Sequence, residues 1–374
     1  MNPKAPLRVL VVDDTVVYRK IVSDVLSKIP GVEVVGTAHN GKAALVKIAS
    51  LKPDLLTLDI EMPEMNGLEV LRHLQDKKMD VGAIMLSTLT QQGGAMTMRA
   101  LELGAFDFIP KPQEGSMAEN LIAVKASLSP MLQAYAKGRQ FRKLLRGALS
   151  HSAKRLTPGG NLDKTTGTVV RRHSPAGFRR SKSEIIAIGI STGGPNALSQ
   201  MLPRIPGDIG VPIVIVQHMP PVFTNSLAKS LDTKCKVTVK EACNGDPLQP
   251  NTAYIAPGGM HMKIMAGSDG KTRVIKTTQD PPENSCRPSA DYLFRSVADH
   301  YVGRATAVIM TGMGTDGNEG LKQMKRSGAL VIAQDKSTCI VFGMPKEPIE
   351  SGTADVVASL DRIADEIIKS VRQP

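Results

Sequence analysis

Residues 185–195 carry the sequence Ile-Ile-Ala-Ile-Gly-Ile-Ser-Thr-Gly-Gly-Pro, and this stretch decides the fold of the second half of the chain. The apolar run predicts a buried strand, and the glycine-rich turn before Pro195 predicts that a helix begins directly after it. The Gly-x-Ser-x-Gly spacing places Ser191 at the carboxyl end of a strand and at the positive end of a helix, where a hydroxyl can attack and an oxyanion can form. The same spacing also occurs by chance and in phosphate-binding turns, so Ser191 alone does not define a nucleophile.

Two further apolar strands end in residues that could complete a catalytic group. Residues 211–216 are followed by His218, and residues 305–310 by a glycine-rich loop that contains Asp316. Because the carboxyl ends of neighbouring parallel strands lie along one edge of a sheet, we expect Ser191 to converge with these two residues. The imidazole would then take the serine proton, and the carboxylate would orient the imidazole. Each partner also has a simpler interpretation, as a surface histidine before a Pro-Pro turn and as a helix N-cap.

The chain order of these residues also carries information. The common α/β-hydrolase order is Ser, Asp or Glu, then His, whereas this chain has Ser, His, then Asp. This order predicts a different sheet topology with convergent chemistry. Backbone amides of Thr192 and of the loop at residues 311–317 are candidate oxyanion donors, between which the sequence does not distinguish.

The first third of the chain predicts a second, separate site. Apolar strands, predicted at residues 7–12, 54–58, 83–86 and 106–110, alternate with amphipathic segments. Five βα units of this kind predict a doubly wound parallel sheet. The strands are followed by polar and charged residues, namely Asp13, Asp14, Asp59, Ser87 and Lys111.

Three carboxylates at one sheet edge repel one another unless a cation joins them. Oxygen ligands without nearby His or Cys favour Mg²⁺ over Zn²⁺. With a cation and Lys111 offsetting charge on a transferring phosphoryl group, Asp59 is the predicted phosphoryl acceptor, and Ser87 would hydrogen-bond the new phosphate. The alternative, that the carboxylates are ordinary turn residues, leaves the lysine and the hydroxyl at the matching strand ends unexplained.

Two known families are similar to the two parts of the chain. The first ~125 residues resemble a response-regulator receiver domain, on the motifs Val12-Asp13-Asp14, Leu58-Asp59-Ile60-Glu61-Met62-Pro63, Ser87-Thr88 and Pro110-Lys111-Pro112. The residues from 184 to the end resemble the catalytic domain of the chemotaxis methylesterase family CheB, on the motifs at residues 189–195, 217–220, 255–261, 287–291, 311–317, 334–336 and 342–345. Receiver motifs occur in many regulators, whereas their combination with the second half is specific.

The resemblance implies a fold and a domain organisation. Residues 1–128 would form a flavodoxin-like (βα)₅ receiver, and residues 184–374 a doubly wound, mostly parallel, Rossmann-like methylesterase domain. Residues 129–183 would form a basic, partly flexible linker. We expect the receiver to cover the active-site edge until Asp59 is phosphorylated.

The resemblance also implies an activity. It is that of a phosphorylation-regulated protein-glutamate methylesterase and protein-glutamine glutaminase, acting on cytoplasmic domains of chemoreceptors in chemotactic adaptation. Ser191 would be the nucleophile, His218 the general base and acid, and Asp316 the orienting carboxylate. Thr192 and Met313 would line the site, and hydrolysis would need no cofactor.

For the receiver, the resemblance implies phosphorylation of Asp59 by a CheA-type histidine kinase. Asp14, Asp59 and the backbone carbonyl of Glu61 would bind Mg²⁺, with Asp13 supporting the site. Lys111 and Ser87 would sense the phosphate.

Two residues depart from the family pattern. Cys286 precedes Arg287-Pro288-Ser289 where a histidine is expected, and Ile190 stands where a smaller residue is usual. We expect neither to touch the catalytic group, so that they affect only packing and substrate fit.

Composition favours a two-domain cytoplasmic enzyme without membrane insertion. The 374 residues suit two domains of ordinary size. Neither an apolar run of membrane-spanning length nor a signal peptide is expected. The four cysteines lack metal-type spacing and are expected to be reduced thiols.

The net charge of +12 is concentrated in one segment. Residues 137–183 contain thirteen Lys or Arg and the single acid Asp163. Residues 150–183 are rich in Ser, Thr, Pro and Gly, which predicts a flexible linker. Residues 136–149 are expected to extend the last receiver helix, with three apolar side chains on one face, Phe141, Leu144 and Leu145.

Four alternatives are weighed against this interpretation of the sequence. The basic linker could contact nucleic acid or an acidic receptor surface, but a solvated spacer is favoured and nucleic acid is not expected as a partner. A DNA-binding regulator would need a helix-turn-helix in place of the glycine-rich strand pattern, and a nucleotide-binding module would need a Walker lysine. The same esterase could also serve a chemosensory pathway other than chemotaxis, in surface motility or development.

Overall fold

A computed structural model describes residues 5–112, 116–152, 169–171 and 181–372. The chain divides into two compact units, Met1–Lys154 and Arg155–Pro374. No helix in the described residues is both long enough and apolar enough to cross a membrane.

The N-terminal unit contains one parallel sheet of five strands. Its strands are β1 (Leu7–Val12), β2 (Val32–Ala38), β3 (Leu55–Asp59), β4 (Gly82–Ser87) and β5 (Asp107–Pro110), in the order β2-β1-β3-β4-β5. Its helices are α1 (Val16–Leu26), α2 (Gly41–Leu51), α3 (Gly67–Asp76), α4 (Gln91–Glu102) and α5 (Met117–Ser152). This order is that of the flavodoxin-like fold, so the predicted receiver fold is confirmed.

Strand and helix positions follow from simple patterns. All five residues of β3 are buried, as expected for a central parallel strand with helices on both faces. Asn66 caps α3 by accepting a hydrogen bond from the Glu69 amide while the Glu69 side chain accepts one from the Asn66 amide. Helix α5 continues to Ser152, which agrees with the expected extension of the last receiver helix. The apolar face expected there, with Phe141, Leu144 and Leu145, lies outside the described side chains.

The C-terminal unit contains a sheet of eight strands and a separate hairpin. The strands are β6 (Val169–Arg171), β7 (Ile185–Ile190), β8 (Ile213–Gln217), β9 (Thr238–Glu241), β10 (Thr252–Ile255), β11 (His261–Ala266), β12 (Arg273–Thr278), β13 (Ala305–Ile309), β14 (Leu330–Gln334) and β15 (Val356–Ala358). The helices are α6 (Gly194–Met201), α7 (Phe223–Asp232), α8 (Ala290–His300), α9 (Asn318–Arg326), α10 (Lys346–Glu350) and α11 (Leu360–Arg372).

The order of strands in the large sheet is β6-β15-β14-β13-β7-β8-β10-β9, and β11 pairs with β12. Within the large sheet only β6 runs antiparallel, against β15. The mostly parallel, doubly wound fold predicted for this half is therefore confirmed. The short strand β6 lies inside the segment expected to be a flexible linker, and its two β-branched residues, Val169 and Val170, favour this pairing.

The order of strands reverses direction at β7. The chain passes from β7 to β8 on one side and later returns to β13 on the other side. In open α/β sheets a crevice forms at the carboxyl ends of the strands where such a reversal occurs. The fold therefore places a site where β7, β8 and β13 end.

Helix α8 packs closely onto this central part of the sheet. A side chain at Gly189 would place its Cβ 2.9 Å from Ala290 Cβ and 3.0 Å from the Phe294 ring, so glycine permits the close approach. Phe294 and Leu293 of α8 are fully buried with strand residues in the main core. The packing brings the first turn of α8 to the carboxyl ends of the strands.

Candidate active site and phosphoacceptor site

Ser191 directly follows β7, and its backbone is held by both neighbouring strands. Its amide donates to the Thr311 carbonyl at 3.0 Å. Its carbonyl accepts hydrogen bonds from Gln217 Nε2 at 3.0 Å and from the Gly194 amide at 2.7 Å. Ser191 is thereby fixed at the crevice by contacts with the ends of β8 and β13.

The turn after Ser191 depends on two glycines. Gly193 has a φ of +75°, in the left-handed region that favours glycine. A Cβ on Gly194 would lie 1.9 Å from Gln217 Oε1, so a side chain there would displace the glutamine that holds Ser191. These steric limits explain why the turn requires both glycines.

His218 lies beside Ser191 because of strand register. Ile190 pairs with Gln217, so each strand ends one residue before the functional side chain. The His218 amide donates to the Ile190 carbonyl at 3.2 Å. The structure thus places Ser191 and His218 at equivalent positions beyond two paired strands.

Asp316 forms the centre of a hydrogen-bond network. Its Oδ2 atom lies 2.7 Å from His218 Nε2 and accepts from the Ala290 amide at 2.6 Å. Its Oδ1 atom accepts from Ser289 Oγ at 2.7 Å and from Asn284 Nδ2 at 3.0 Å. The carboxylate therefore lies at the N-terminus of α8, where helix amides and the helix dipole favour negative charge.

These contacts set the charge on Asp316. Burial favours a raised pKa, but hydrogen bonds from His218, Ser289 and Ala290 together hold the pKa of Asp316 well below its ordinary value. The side chain is therefore an ionised acceptor, and Nε2 of His218 carries the proton that it donates to Asp316. When the ring is neutral, the other nitrogen, Nδ1, carries the lone pair.

Sequence reasoning missed the residues that surround Asp316. Asn284 donates to Asp291 Oδ2 at 2.9 Å as well as to Asp316, and Asp291 Oδ1 accepts from the Gly320 amide at 2.6 Å. Burial, together with the negative charge of Asp316, raises the pKa of Asp291. Asp291 and Ser289 lie in the quoted motif at residues 287–291, so that motif was the available signal.

The expectation that Cys286 does not touch the catalytic group is wrong. Cys286 Sγ lies 3.6 Å from His218 Nδ1. The reason is a tight turn in which Glu283 and Cys286 exchange two backbone hydrogen bonds, of 2.8 and 3.1 Å, just before α8. Ile190 is fully buried in β7, directly before Ser191.

The structure does not join all three predicted residues by hydrogen bonds. In the described residues, no hydrogen bond links Ser191 Oγ to His218, and the neighbour of Nδ1 is the Cys286 thiol. Thr192, predicted to line the site, follows Ser191 and is buried, and its carbonyl accepts from Thr311 Oγ1 at 3.0 Å. Met313, the other predicted lining residue, lies in the loop after β13.

The same contacts alter the titration of His218. Burial would lower the pKa of His218, but its hydrogen bonds to Asp316 and Cys286 raise the pKa to about 9, from an ordinary value of 6.5. The ring is held as a cation up to higher pH than usual. A base at this position would become active only as the proton on Nδ1 is lost.

In the N-terminal unit, Lys111 bridges two carboxylates at the carboxyl edge of the sheet. Its Nζ atom lies 2.6 Å from Asp59 Oδ2 and 2.8 Å from Asp13 Oδ2. All three side chains are buried. Despite the attraction of Lys111, burial raises the pKa of Asp59 to about 6.

The carboxylates at this edge form a suitable group for a cation. Asp13, Asp14 and Asp59 each offer an oxygen within 4.8 Å of the other two. Three oxygen donors suit Mg²⁺, so the donor set fits that ion. Glu61, whose backbone carbonyl is the remaining predicted ligand, lies two residues beyond β3.

Ser87 is held beside helix α4. It accepts a hydrogen bond from Thr97 Oγ1 at 2.6 Å, and both side chains are buried. Tyr18 was missed by sequence reasoning: its ring centroid lies 5.0 Å from Lys111 Nζ, a cation–π contact, and its hydroxyl donates to the Pro112 carbonyl. No strand-end pattern marks Tyr18, because it lies within α1.

Comparison with known proteins places both halves of the chain. Residues 9–122 match the model of the response regulator receiver domain, and residues 186–367 match that of the CheB methylesterase. A protein of Desulfotalea psychrophila named protein-glutamate methylesterase/protein-glutamine glutaminase is 57% identical over 368 residues, covering 98% of this chain and 99% of that protein. A protein of the same name from Trichodesmium erythraeum is 41% identical over 365 residues, covering 97% and 99%.

A solved structure is also similar to part of the chain. The catalytic domain of Thermotoga maritima CheB methylesterase is 42% identical and covers 50% of this chain and 99% of its own, with a TM-score of 0.49.

Fold and site together define a response regulator whose output domain is an enzyme. The chain belongs to the CheB methylesterase family, as its identity with relatives of nearly equal length shows. It is therefore a receiver-regulated methylesterase, and the predicted family and enzyme class are confirmed.

Proposed function

We propose that this enzyme hydrolyses glutamate methyl esters and deamidates glutamines on cytoplasmic signalling domains of chemoreceptors, with Ser191 as nucleophile. The observation that carries the proposal is the 2.7 Å contact between His218 Nε2 and Asp316 Oδ2. His218 follows β8, the strand that pairs with β7, and Ser191 follows β7. It supplies an oriented imidazole at the strand edge where the serine lies.

The reaction proceeds in two stages. Ser191 Oγ attacks the ester carbonyl while Nδ1 of His218 takes its proton, since Asp316 occupies Nε2. The imidazolium then protonates the leaving methanol, and an acyl-enzyme forms. Water, deprotonated by the same nitrogen, releases glutamate and restores Ser191; with glutamine, ammonia leaves instead.

The oxyanion is stabilised by backbone amides. In the described part of the chain, the amide of Thr192 donates to no protein acceptor, and it lies in the turn before α6. This amide and the positive end of the helix therefore suit a developing negative charge. Met313 contributes to the wall of the site from the loop after β13.

Activity depends on phosphorylation of Asp59 by a CheA-type histidine kinase. Asp59 provides the attacking oxygen, Lys111 offsets negative charge on the phosphoryl group, and Ser87 binds the phosphate. Asp14, Asp59 and the carbonyl of Glu61 would hold Mg²⁺, with Asp13 in support; when bound, the ion neutralises charge on the transferred group. Because its proposed substrates are cytoplasmic domains of receptors, the enzyme would act in the cytoplasm.

The test is methanol release from methylated chemoreceptor signalling domains by the full chain. Addition of Mg²⁺ and a small-molecule phosphodonor is expected to increase release from the wild type. An Asp59→Asn variant should keep basal release without the increase, and a Ser191→Ala variant should lose both. If Ser191 is acylated by a reactive ester but no receptor domain yields methanol, the receptor assignment is wrong.

A further inference from the structure

Cys286 and His218 hold a sulfur and an imidazole nitrogen at the separation that a zinc ion requires. Zinc binds sulfur at about 2.3 Å and imidazole nitrogen at about 2.0–2.1 Å, so tetrahedral coordination sets the two donors about 3.5 Å apart. The observed distance from Cys286 Sγ to His218 Nδ1 is 3.6 Å. The pair therefore needs little movement to bind the ion.

Asp316 gives the histidine the orientation of a metal ligand. Imidazole ligands usually donate their second N–H to a carboxylate, which fixes the ring and increases its basicity. Here Asp316 Oδ2 lies 2.7 Å from Nε2, and Ser289, Asn284 and Ala290 all donate to this carboxylate. Nδ1 is thus the ring nitrogen that faces the thiol. One donor atom each from Cys286, His218 and Asp316 lies within 4.8 Å of the other two.

The turn that carries Cys286 is also constrained. Two backbone hydrogen bonds join Glu283 to Cys286, and Asn284 and Ser285 between them both have positive φ values, of 51° and 62°. The Asn284 side chain donates to Asp291 and to Asp316. The thiol is therefore held in place by backbone and side chain, and Cys286 remains partly exposed to solvent.

We propose that Cys286 and His218 form a zinc-binding site that reversibly inhibits hydrolysis. Binding releases to solvent the proton on Sγ and, where the ring is cationic, the proton on Nδ1; bonds from the ion to Sγ and Nδ1 form in their place, while water completes the coordination and Asp316 holds the ring through Nε2. Because Nδ1 is the nitrogen that takes the serine proton in the proposed function, a bound ion removes the base. Inhibition by zinc therefore rests on the proposed role of His218 as the base, whereas zinc binding by Cys286 and His218 does not.

Binding is tested separately from activity on the full chain. Co²⁺ should produce a near-ultraviolet thiolate-to-cobalt absorption band in the wild type, and Zn²⁺ should abolish it by displacement. Zn²⁺ should also protect Cys286 from alkylation, measured by mass spectrometry. The band should vanish in Cys286→Ser, and both effects should persist in Cys243→Ser, the matched change at an exposed cysteine.

Inhibition is then measured without Mg²⁺ or phosphodonor. Zn²⁺ should inhibit basal hydrolysis by the wild type and by Cys243→Ser, EDTA should restore it, and Cys286→Ser should require at least about tenfold more Zn²⁺. The absence of both the band and the protection would overturn the site, whatever the esterase assay gives. Equal inhibition of Cys286→Ser and wild type would overturn its inhibitory role.

Discussion

The Nε2 atom of His218 lies 2.7 Å from Oδ2 of Asp316, a residue 98 positions later in the chain. Because Asp316 is ionised and accepts this hydrogen bond, it determines which ring nitrogen faces the rest of the site. That nitrogen, Nδ1, has the Cys286 thiol as its neighbour. Asp316 therefore fixes the imidazole so that Nδ1 faces the Cys286 thiol.

Replacement of Ser191 by alanine should lower methanol release by about a thousandfold or more, because removal of a nucleophile leaves only binding and oxyanion stabilisation. The change is measured as kcat/KM on a methylated receptor domain. Ser337→Ala, at an exposed serine bonded to Asp335, is the matched control and should be unaffected. Residual activity in Ser191→Ala that disappears on alkylation of Cys286 would identify the thiol as the nucleophile.

Replacement of Asp316 by asparagine should lower kcat by about a thousandfold to ten-thousandfold, because an amide no longer stabilises the imidazolium or fixes its tautomer. Asp299→Asn is the control, since this exposed carboxylate contacts only the side chain of Gln323 among the hydrogen bonds described. Steady-state kinetics should show the loss mainly in kcat. A loss confined to KM would contradict an orienting role.

The sequence predicts much of the fold because its strands end in chemically distinctive residues. Apolar runs before Ser191, His218 and Asp316 define strands that the sheet places side by side, and parallel register then brings their ends together. The same logic holds for Asp59 and Lys111 in the receiver. These residues could be located because each follows a strand, where position along the sheet depends on topology alone.

The surroundings of Asp316 could not be predicted in the same way. Asn284 and Cys286 lie in a turn and Ser289 caps α8, so the positions of all three depend on how α8 packs. That packing requires glycine on two other elements. A Cβ on Gly320 of α9 would lie 2.6 Å from Phe294 Cβ, and a Cβ on Gly189 of β7 would lie 3.0 Å from the Phe294 ring. Such steric matching between distant segments leaves no periodic signal, so the contact of Cys286 with His218 appears only in three dimensions.

The pH dependence of hydrolysis should report the contact with Cys286. Although burial lowers the pKa of His218, hydrogen bonds to Asp316 and Cys286 raise it to about 9, so the protonated fraction of the ring increases as the pH falls below that value. Activity of the wild type should therefore rise with pH through the alkaline range. In Cys286→Ala one of the two hydrogen bonds is removed, and the midpoint should move to lower pH.

This shift is measured as kcat/KM against pH with a small ester, since that ratio reports the pKa of the free enzyme. Cys243→Ala, at an exposed cysteine, should leave the midpoint where it is in the wild type. A midpoint that is the same in Cys286→Ala and wild type would show that the thiol does not influence the imidazole.

Asp59→Asn should stabilise the N-terminal unit in Mg²⁺-free buffer above pH 6. The pKa of Asp59 is raised from 3.8 to about 6 in the folded protein, chiefly by burial, so the folded state disfavours the carboxylate. One pKa unit corresponds to about 1.4 kcal/mol, which sets the destabilisation at about 3 kcal/mol at most. This destabilisation is fully present above pH 6 and disappears below pH 3.8, where Asp59 is protonated in both the folded and the unfolded state. The stability gained by Asp59→Asn should therefore vanish in acid.

Calorimetry of the full chain at several pH values measures this gain as a rise in the Tm of the receiver transition. Asp76→Asn, at an exposed residue that ends α3, serves as the matched control and should leave the Tm unchanged at each pH. Added Mg²⁺ should narrow the difference between wild type and Asp59→Asn, because three carboxylates bind the ion better than two. A variant less stable than the wild type at pH 8 without Mg²⁺ would mean that the contact of Asp59 with Lys111 outweighs the burial of its charge.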